Sequence, residues 1–232
     1  MFTRILTTAL LAGAAAGLVA ALLQLWFVQP VLLHAEMYES GELVHFGEAT
    51  VPAHQHEQGL SLMRDGLSIL FNMLIYSGYA LILVGLMSLA EGRGTRIEPR
   101  TGLLWGIAGF VAVMLSPGFS LAPEVPGVAA AEVMARQIWW TATVVMAAGA
   151  LWLLAFGTGP AAWGAAALLL IAPHAVGAPE PEVFTGPVPP EIGALFAARV
   201  FGVALVGWAL MGVFAGWLWS KDSQAEGTSQ TV

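Results

Sequence analysis

The five histidines of the chain could bind a transition-metal ion, because neutral imidazole is a common ligand for such ions. Two of them stand two residues apart in His54-Gln55-His56, and a carboxylate follows at Glu57. Residues two apart in an extended segment face the same way, so His54 and His56 could share one cation. His34 and Glu36 have the same spacing. The candidate metal ligands are therefore His34, Glu36, His45, His54, His56, Glu57 and His174.

Each of these candidates also has a simpler interpretation. Loops are usually polar, and a His-x-His pair is a weak motif, so residues 34–59 could be an ordinary solvated loop. His174 follows Pro173 at the end of an apolar segment, where a histidine can interact with the C-terminal end of a helix dipole. Metal binding and a purely structural role both stay open.

The composition identifies an integral membrane protein. Of 232 residues, 58% are hydrophobic and only 10% are charged, whereas a soluble domain carries about 25% charged residues. The mean hydropathy is +0.78. The absence of cysteine excludes disulfides and thiolate zinc sites. A net charge of -7 argues against nucleic acid as a partner.

Six apolar segments predict an all-α fold, a polytopic transmembrane helix bundle. Crossing the hydrocarbon layer takes about 20 residues, and only the fifth segment is short. Pro173 should kink or stop it, and if this segment is re-entrant the chain has five spans. We predict one integral-membrane domain over residues 1–220 and a disordered cytoplasmic tail over 221–232. The six segments cover residues 5–33, 60–89, 101–121, 136–156, 160–176 and 190–219.

The basic residues predict the orientation. With six spans, three groups of basic residues lie on the same side of the membrane. They are the arginine near the N-terminus, the arginines between the second and third segments, and the lysine after the sixth. The positive-inside rule makes that side cytoplasmic, with both termini. All five histidines and most carboxylates then lie in or beside loops on the exoplasmic side. The basic residues concerned are Arg4, Arg93, Arg96, Arg100 and Lys221.

Arg199 is expected about two turns inside the sixth segment, a costly depth for a charge. It could pair with a carboxylate such as Asp65 or Glu132, or it could form a gate that repels cations. Glu132 is also four residues from Arg136, a spacing that allows an ion pair on a helix.

Two short patterns predict packing and anchoring. Trp139 and Trp140 are typical of an aromatic belt at the membrane interface. Gly13-x-x-x-Gly17 and Gly212-x-x-x-Gly216 predict close helix packing. The first and sixth helices could therefore contact each other or a partner helix.

Several phrases of the chain resemble CbtA, a family of bacterial cobalt transporter proteins. The opening Met1–Ile5 and the stretch to His34-Ala35-Glu36 are similar as well, so the resemblance covers most of the chain. The four phrases in the second half, in order, are Ala122-Pro-Glu-Val-Pro-Gly127, Ala135-Arg-Gln-Ile-Trp-Trp140, Pro173-His-Ala-Val-Gly-Ala-Pro-Glu-Pro181 and Val188-Pro-Pro-Glu-Ile192.

The resemblance implies a multi-pass subunit of the bacterial inner membrane that imports cobalt for cobalamin synthesis. It also implies a partner, CbtB, a small protein with a single span and a histidine-rich tail. Family descriptions usually count five spans, whereas the apolar segments here number six. No ligand set is carried over from the family.

The leading hypothesis is therefore a cobalt(II) permease subunit, with cobalt as the transported or bound ion and no organic cofactor. Histidine and glutamate would collect the ion at the exoplasmic mouth. Because no ladder of acidic residues crosses the membrane, CbtB or a homo-oligomer would complete the path. The alternative is a scaffold or accessory subunit that binds metal without transporting it. An enzyme is not expected, since no nucleophile–base pair is visible.

Overall fold

The structure is a computed structural model that describes residues 1–45 and 61–229, with side chains described through Lys221. The described residues form α-helices and two π-helical turns and contain no strand, which confirms the all-α prediction. The π turns are Gln24–Val28 and Val111–Leu115. The helices are α1 (Phe2–Leu23), α2 (Gln29–Glu39), α3 (Leu62–Glu91), α4 (Pro99–Phe110), α5 (Ser116–Gly118), α6 (Val133–Phe156), α7 (Gly159–Val176) and α8 (Pro190–Ser229).

Six helical stretches among the described residues are long and apolar enough to cross a membrane, as the sequence predicted. The fifth, α7, has 18 residues and is about 27 Å long at 1.5 Å per residue. It is helical throughout. The six stretches are Phe2–Glu39, Leu62–Glu91, Pro99–Gly118, Val133–Phe156, Gly159–Val176 and Pro190–Lys221.

A proline follows each π turn at the same distance. Pro30 comes two residues after the turn that ends at Val28, and Pro117 comes two residues after the turn that ends at Leu115. Proline lacks an N–H and its ring clashes with the carbonyl four residues earlier. A widened turn relieves that clash, so the first and third spans continue past their prolines as helices.

Pro173 does not stop α7, so that part of the prediction is wrong, while the alternative of a kink at Pro173 stays a prediction. The helix continues through Pro173 to Val176 and ends at Gly177, whose φ of 90° suits a residue without a side chain. The end of this helix is therefore determined by a glycine, and His174 lies inside its last turn.

Contacts within the chain divide it into two compact units. The first unit comprises Met1–Leu25, Leu60–Phe110 and Val203–Val232. The second comprises Trp26–Gly59 and Val111–Gly202. Each unit has its own packing, and every described candidate ligand belongs to the second.

The division of residues 1–220 and 221–232 into a membrane domain and a disordered tail remains a prediction. Helix α8 extends beyond Trp219, and its backbone is helical through Ser229. The stretch predicted to be disordered therefore begins as a helix.

In the first unit, α1 packs against α3 through its glycines. A Cβ on Gly13 would lie 2.5 Å from the Cα of Ser77, and one on Gly17 would lie 2.7 Å from the Cα of Met73. The close packing predicted for Gly13-x-x-x-Gly17 is thus confirmed, with α3 as the neighbour.

A second glycine contact in the same unit joins α4 to α8. A Cβ on Gly102 would collide with the backbone of Gly212, and one on Gly216 would collide with the backbone of Glu98 and lie only 3.2 Å from the Cα of Gly102. Gly106 meets the backbones of Trp208 and Gly212 in the same way. The predicted pair Gly212-x-x-x-Gly216 therefore packs against a matching pair on α4 that the sequence analysis did not identify.

The second unit combines the hairpin of α6 and α7 with a small apolar core beside α2. Loop residues close this core: the Ala129 amide donates a 2.8 Å hydrogen bond to the Thr185 carbonyl. The buried residues of the core are Ala35, Val125 and Val188, with Tyr38, Val128, Ile192 and Phe196 packed against them.

Candidate functional site

His174 has the most completely defined surroundings of the candidate ligands. Its ring is half-buried in the last turn of α7. Nδ1 lies 2.8 Å from the Ser120 hydroxyl oxygen, in a hydrogen bond whose direction depends on the tautomer. Because this contact occupies Nδ1, the nitrogen left for a further ligand is Nε2.

Two aromatic rings hold the imidazole edge-on. The ring of Phe119 lies 5.5 Å from it and the ring of Trp139 lies 6.0 Å from it, both in T-shaped arrangements. The Trp139 indole N–H also donates a 3.2 Å hydrogen bond to the Pro173 carbonyl. The buried Trp139 ring and the Ser120 hydroxyl restrict the orientation of the imidazole, much as the hydrogen-bond partners of metal-binding histidines do.

Trp139 was predicted to anchor the helix in an interfacial belt, and this is wrong for that residue. It is buried, with 8% of its surface exposed, because its indole packs between α6 and the end of α7. Trp140, its neighbour, is half-buried and lines a separate cavity. Only the structure distinguishes the two tryptophans.

His34 and Glu36 lie on α2, so the extended conformation expected for this pair is wrong. Successive residues of a helix are rotated by about 100°, and two residues two apart therefore point in different directions. His34 is exposed, and its nearest ring is that of Tyr38 one turn later, 5.6 Å away. Metal binding by either residue stays a prediction, but the two side chains do not face the same way as the sequence spacing suggested.

His45 is exposed at the end of the described part of the first long loop. Glu42, just before it, is buried, with 6% of its surface exposed. The candidates His54, His56 and Glu57 lie outside the described residues. Their shared site therefore stays a prediction.

The described carboxylates beside α6 have defined partners. Both oxygens of Glu132 accept backbone N–H groups, from Met134 at 2.9 Å and Ala135 at 2.8 Å, so Glu132 caps the helix. These bonds, that from Met134 first, hold the pKa of the Glu132 carboxyl below its ordinary value. Arg136 pairs with Glu124 instead, at 2.7 Å. The predicted Glu132–Arg136 pair is wrong because the helix end uses the Glu132 carboxylate.

Glu132, one of the two carboxylates suggested for Arg199, is not its partner. The guanidinium donates to the Phe27 carbonyl at 2.7 Å. Asp65 accepts from the Ser61 amide and from Arg64, both at 2.9 Å. Both carboxylates accept hydrogen bonds at the start of their own helix. The pair between Arg199 and Asp65, a residue of the first unit, stays a prediction.

Among the side chains that the structure describes, those of residues 1–45 and 61–221, no three histidine or acidic groups come together in a way that could hold a metal ion. His34, Glu36, His45 and His174 thus offer separate ligands.

Ser120 and Phe119 were not identified from the sequence as neighbours of His174. They are 54 and 55 residues away along the chain, and no spacing rule connects them. The one available signal was the order of the phrases around Pro123, Trp139 and His174, which does not specify contacts.

Comparison with known proteins gives one match. The sequence model of a family described as "Probable cobalt transporter subunit (CbtA)" matches residues 2–220. No curated protein and no solved structure matches the chain.

Proposed function

The chain belongs to the CbtA family of probable cobalt transporter subunits, and from that premise we propose that it takes up cobalt(II) from the exoplasmic side of the bacterial inner membrane. The observation that carries this proposal is His174. It lies in the last turn of an apolar helix, with Nδ1 in a hydrogen bond with Ser120 and with the rings of Phe119 and Trp139 beside the imidazole. An oriented imidazole at the end of a span is a suitable first ligand for an entering cation.

The proposed orientation rests on charge. The cytoplasmic side would carry both termini and the loop with Arg93, Arg96 and Arg100, in keeping with the positive-inside rule. The loops that hold the histidines would then face outward. A membrane potential of 100 mV contributes about 2.3 kcal/mol per charge, roughly twice that for a divalent ion, so inward movement needs no nucleotide in principle.

Further ligands would come from the first exoplasmic loop and from a partner. His34, Glu36, His45, His54, His56 and Glu57 would collect the ion and deliver it to His174. Because no ladder of acidic residues runs through the apolar segments, we infer that a CbtB-like protein with one span and a histidine-rich tail, or a second copy of the chain, completes the path.

The test of the entry site is radioactive cobalt uptake into proteoliposomes, with and without the CbtB-like partner. His174→Gln keeps size and polarity but removes the strong metal-binding nitrogen, so uptake should fall at least several-fold while protein level and melting temperature stay near wild type. Ser120→Ala frees the ring and should give a smaller loss. Ser40→Ala removes an exposed hydroxyl from α2's end and serves as the matched control. Intact uptake in His174→Gln, or a parallel loss of protein, would show that His174 is structural.

The first exoplasmic loop is tested separately by calorimetry with cobalt(II). Replacing both His54 and His56 with alanine should weaken binding markedly. Since neutral imidazole is the ligand form, wild-type affinity should also fall as the pH drops through about 6.5. Unchanged affinity in the double variant would mean that the loop is merely solvated.

A second function fits the separation of the ligands in the described part of the chain. An accessory protein of this kind could bind metal weakly and regulate or stabilise a larger membrane complex. It would bind cobalt in detergent without carrying it into proteoliposomes, whether or not the partner is present. Flux therefore distinguishes the two functions directly.

A further inference from the structure

A cavity at the start of α6 has the composition of a lipid headgroup site. It has a volume of about 290 Å³ and is lined by Leu121, Val133, Arg136, Gln137 and Trp140. We propose that it binds a phospholipid whose headgroup carries a phosphate and a primary ammonium, as phosphatidylethanolamine does. This proposal is independent of cobalt transport.

The position of the cavity matches the depth of lipid headgroups. Its four lining residues on α6 are spaced three, four and seven residues from Val133, so they share one face of the helix. They occupy the first two turns of a 24-residue apolar helix that is long enough to cross the membrane. The ends of such a helix lie where the hydrocarbon gives way to headgroups.

The lining is divided between apolar and polar groups. Leu121, Val133 and the Trp140 ring offer an apolar wall, while Arg136 and Gln137 offer N–H donors. The volume is too small for a whole lipid. The headgroup and glycerol would enter, and the acyl chains would continue along the exposed side of the apolar helix.

The charges are arranged as a complement to a zwitterion. Arg136 uses Nη2 to pair with Glu124 at 2.7 Å, and the two side chains keep 28% and 32% of their surface exposed. A guanidinium has five N–H donors in a planar fork, so Arg136 can bind a phosphate while it keeps this pair. The Glu124 carboxylate would accept the ammonium beside it.

The same charges disfavour other headgroups. Glu124 is paired with Arg136, and the exposed Glu132 lies one helical turn before Arg136, so these two carboxylates would repel an anionic headgroup such as phosphatidylglycerol. A choline group carries the same charge as ethanolamine but has no N–H to donate to Glu124. The site should therefore distinguish headgroups by the ammonium and not by the phosphate alone.

The experiment uses the full-length protein, stripped of lipid in detergent, and native mass spectrometry with three lipids of identical acyl chains. Phosphatidylethanolamine should bind roughly tenfold more tightly than phosphatidylcholine or phosphatidylglycerol, a factor that corresponds to about 1.4 kcal/mol. Equal binding of all three, or a preference for phosphatidylglycerol, would overturn the proposal.

Two variants that break the same ion pair provide the critical comparison. Arg136→Gln should weaken all phospholipids, because the phosphate donor is lost. Glu124→Gln should keep phosphate binding but abolish the preference for ethanolamine over choline. If the ion pair served folding alone, both variants would change binding identically, and that outcome would refute the site.

Matched controls exclude general effects of charge and of lipid-facing aromatics. Arg96→Gln removes an exposed arginine of the first unit, and Trp26→Ala removes a tryptophan with 77% of its surface exposed. Neither lines the cavity, so neither should alter selectivity. A loss of ethanolamine preference in either control would also count against the proposal.

Discussion

Arg199 donates a 2.7 Å hydrogen bond from Nη1 to the backbone carbonyl of Phe27. Phe27 belongs to the π turn that precedes Pro30. Because proline has no N–H, the carbonyl four residues before Pro30, that of Trp26, has no α-helical donor, and Phe27 is the next residue of the same turn. The guanidinium supplies a donor to this turn, and an arginine inside an apolar span is thereby bound to a carbonyl oxygen instead of a carboxylate.

Replacing Arg199 should therefore lower the stability of the protein and leave transport per folded molecule unchanged. Arg199→Leu removes the donor and should lower the free energy of unfolding by about 1.5–3 kcal/mol, the range for a hydrogen bond to a charged group. Arg199→Lys keeps a charged donor and should lose less. Thermal unfolding in detergent measures both, with Arg96→Leu on an exposed site as control.

The cation-repelling gate predicts a different result for the same variants. If Arg199 repels cations, cobalt uptake per folded protein should rise in Arg199→Leu and not in Arg199→Lys. We expect no rise in either. If Arg199→Leu were as stable as wild type and took up more cobalt, the hydrogen bond would not stabilise the fold and the gate interpretation would be supported.

The contact between α4 and α8 should tolerate no Cβ. Gly102→Ala places a methyl group against the Gly212 backbone and must force the helices apart, which should cost about 1–3 kcal/mol. Gly78→Ala on α3 is the matched control, since a Cβ there meets nothing within 4 Å. It should be neutral or stabilising by up to about 1 kcal/mol. Equal melting temperatures for the two variants would contradict the close approach.

The Glu132 cap should make stability depend on pH. Its folded-state pKa is lowered, chiefly by the Met134 amide, so its contribution is fully present above the unfolded value of about 4.3 and is lost as the pH falls through the folded pKa. Wild type should thus be more stable than Glu132→Ala near neutral pH, and the difference should shrink in acid. Thermal unfolding at several pH values measures it.

An exposed carboxylate provides the control for this cap. Glu180→Ala removes a carboxyl from the loop after α7. The difference in stability between wild type and Glu180→Ala should not shrink as the pH is lowered. If the difference in melting temperature between wild type and Glu132→Ala stayed constant as the pH was lowered, the charge of the carboxylate would not be what stabilises the helix start.

The orientation is tested with single cysteines in a chain that has none. A cysteine at Ser40, exposed at the end of α2, should react with an impermeant reagent added outside intact cells. A cysteine at Thr95, between α3 and α4, should react only after the membrane is opened. Labelling of both from the same side would refute the proposed topology.

The sequence by itself determined that this is a six-segment helical membrane protein of the CbtA family. Apolar length is a property of one continuous stretch, so the six predicted segments match the six helical stretches apart from a few residues at their ends. The family match over residues 2–220 likewise depends on the order of residues along the chain. The sequence also indicated close packing at Gly13 and Gly212, because small residues four apart form one flat strip on a helix.

Only the tertiary structure decided which groups meet. It joined Gly212 to Gly102, Arg199 to Phe27, Arg136 to Glu124, and His174 to Ser120 and Trp139. Each of these contacts joins residues that lie on different helices or loops, or in a helix and a distant turn. Helical periodicity specifies which residues share a face, but packing of one segment on another decides what that face touches.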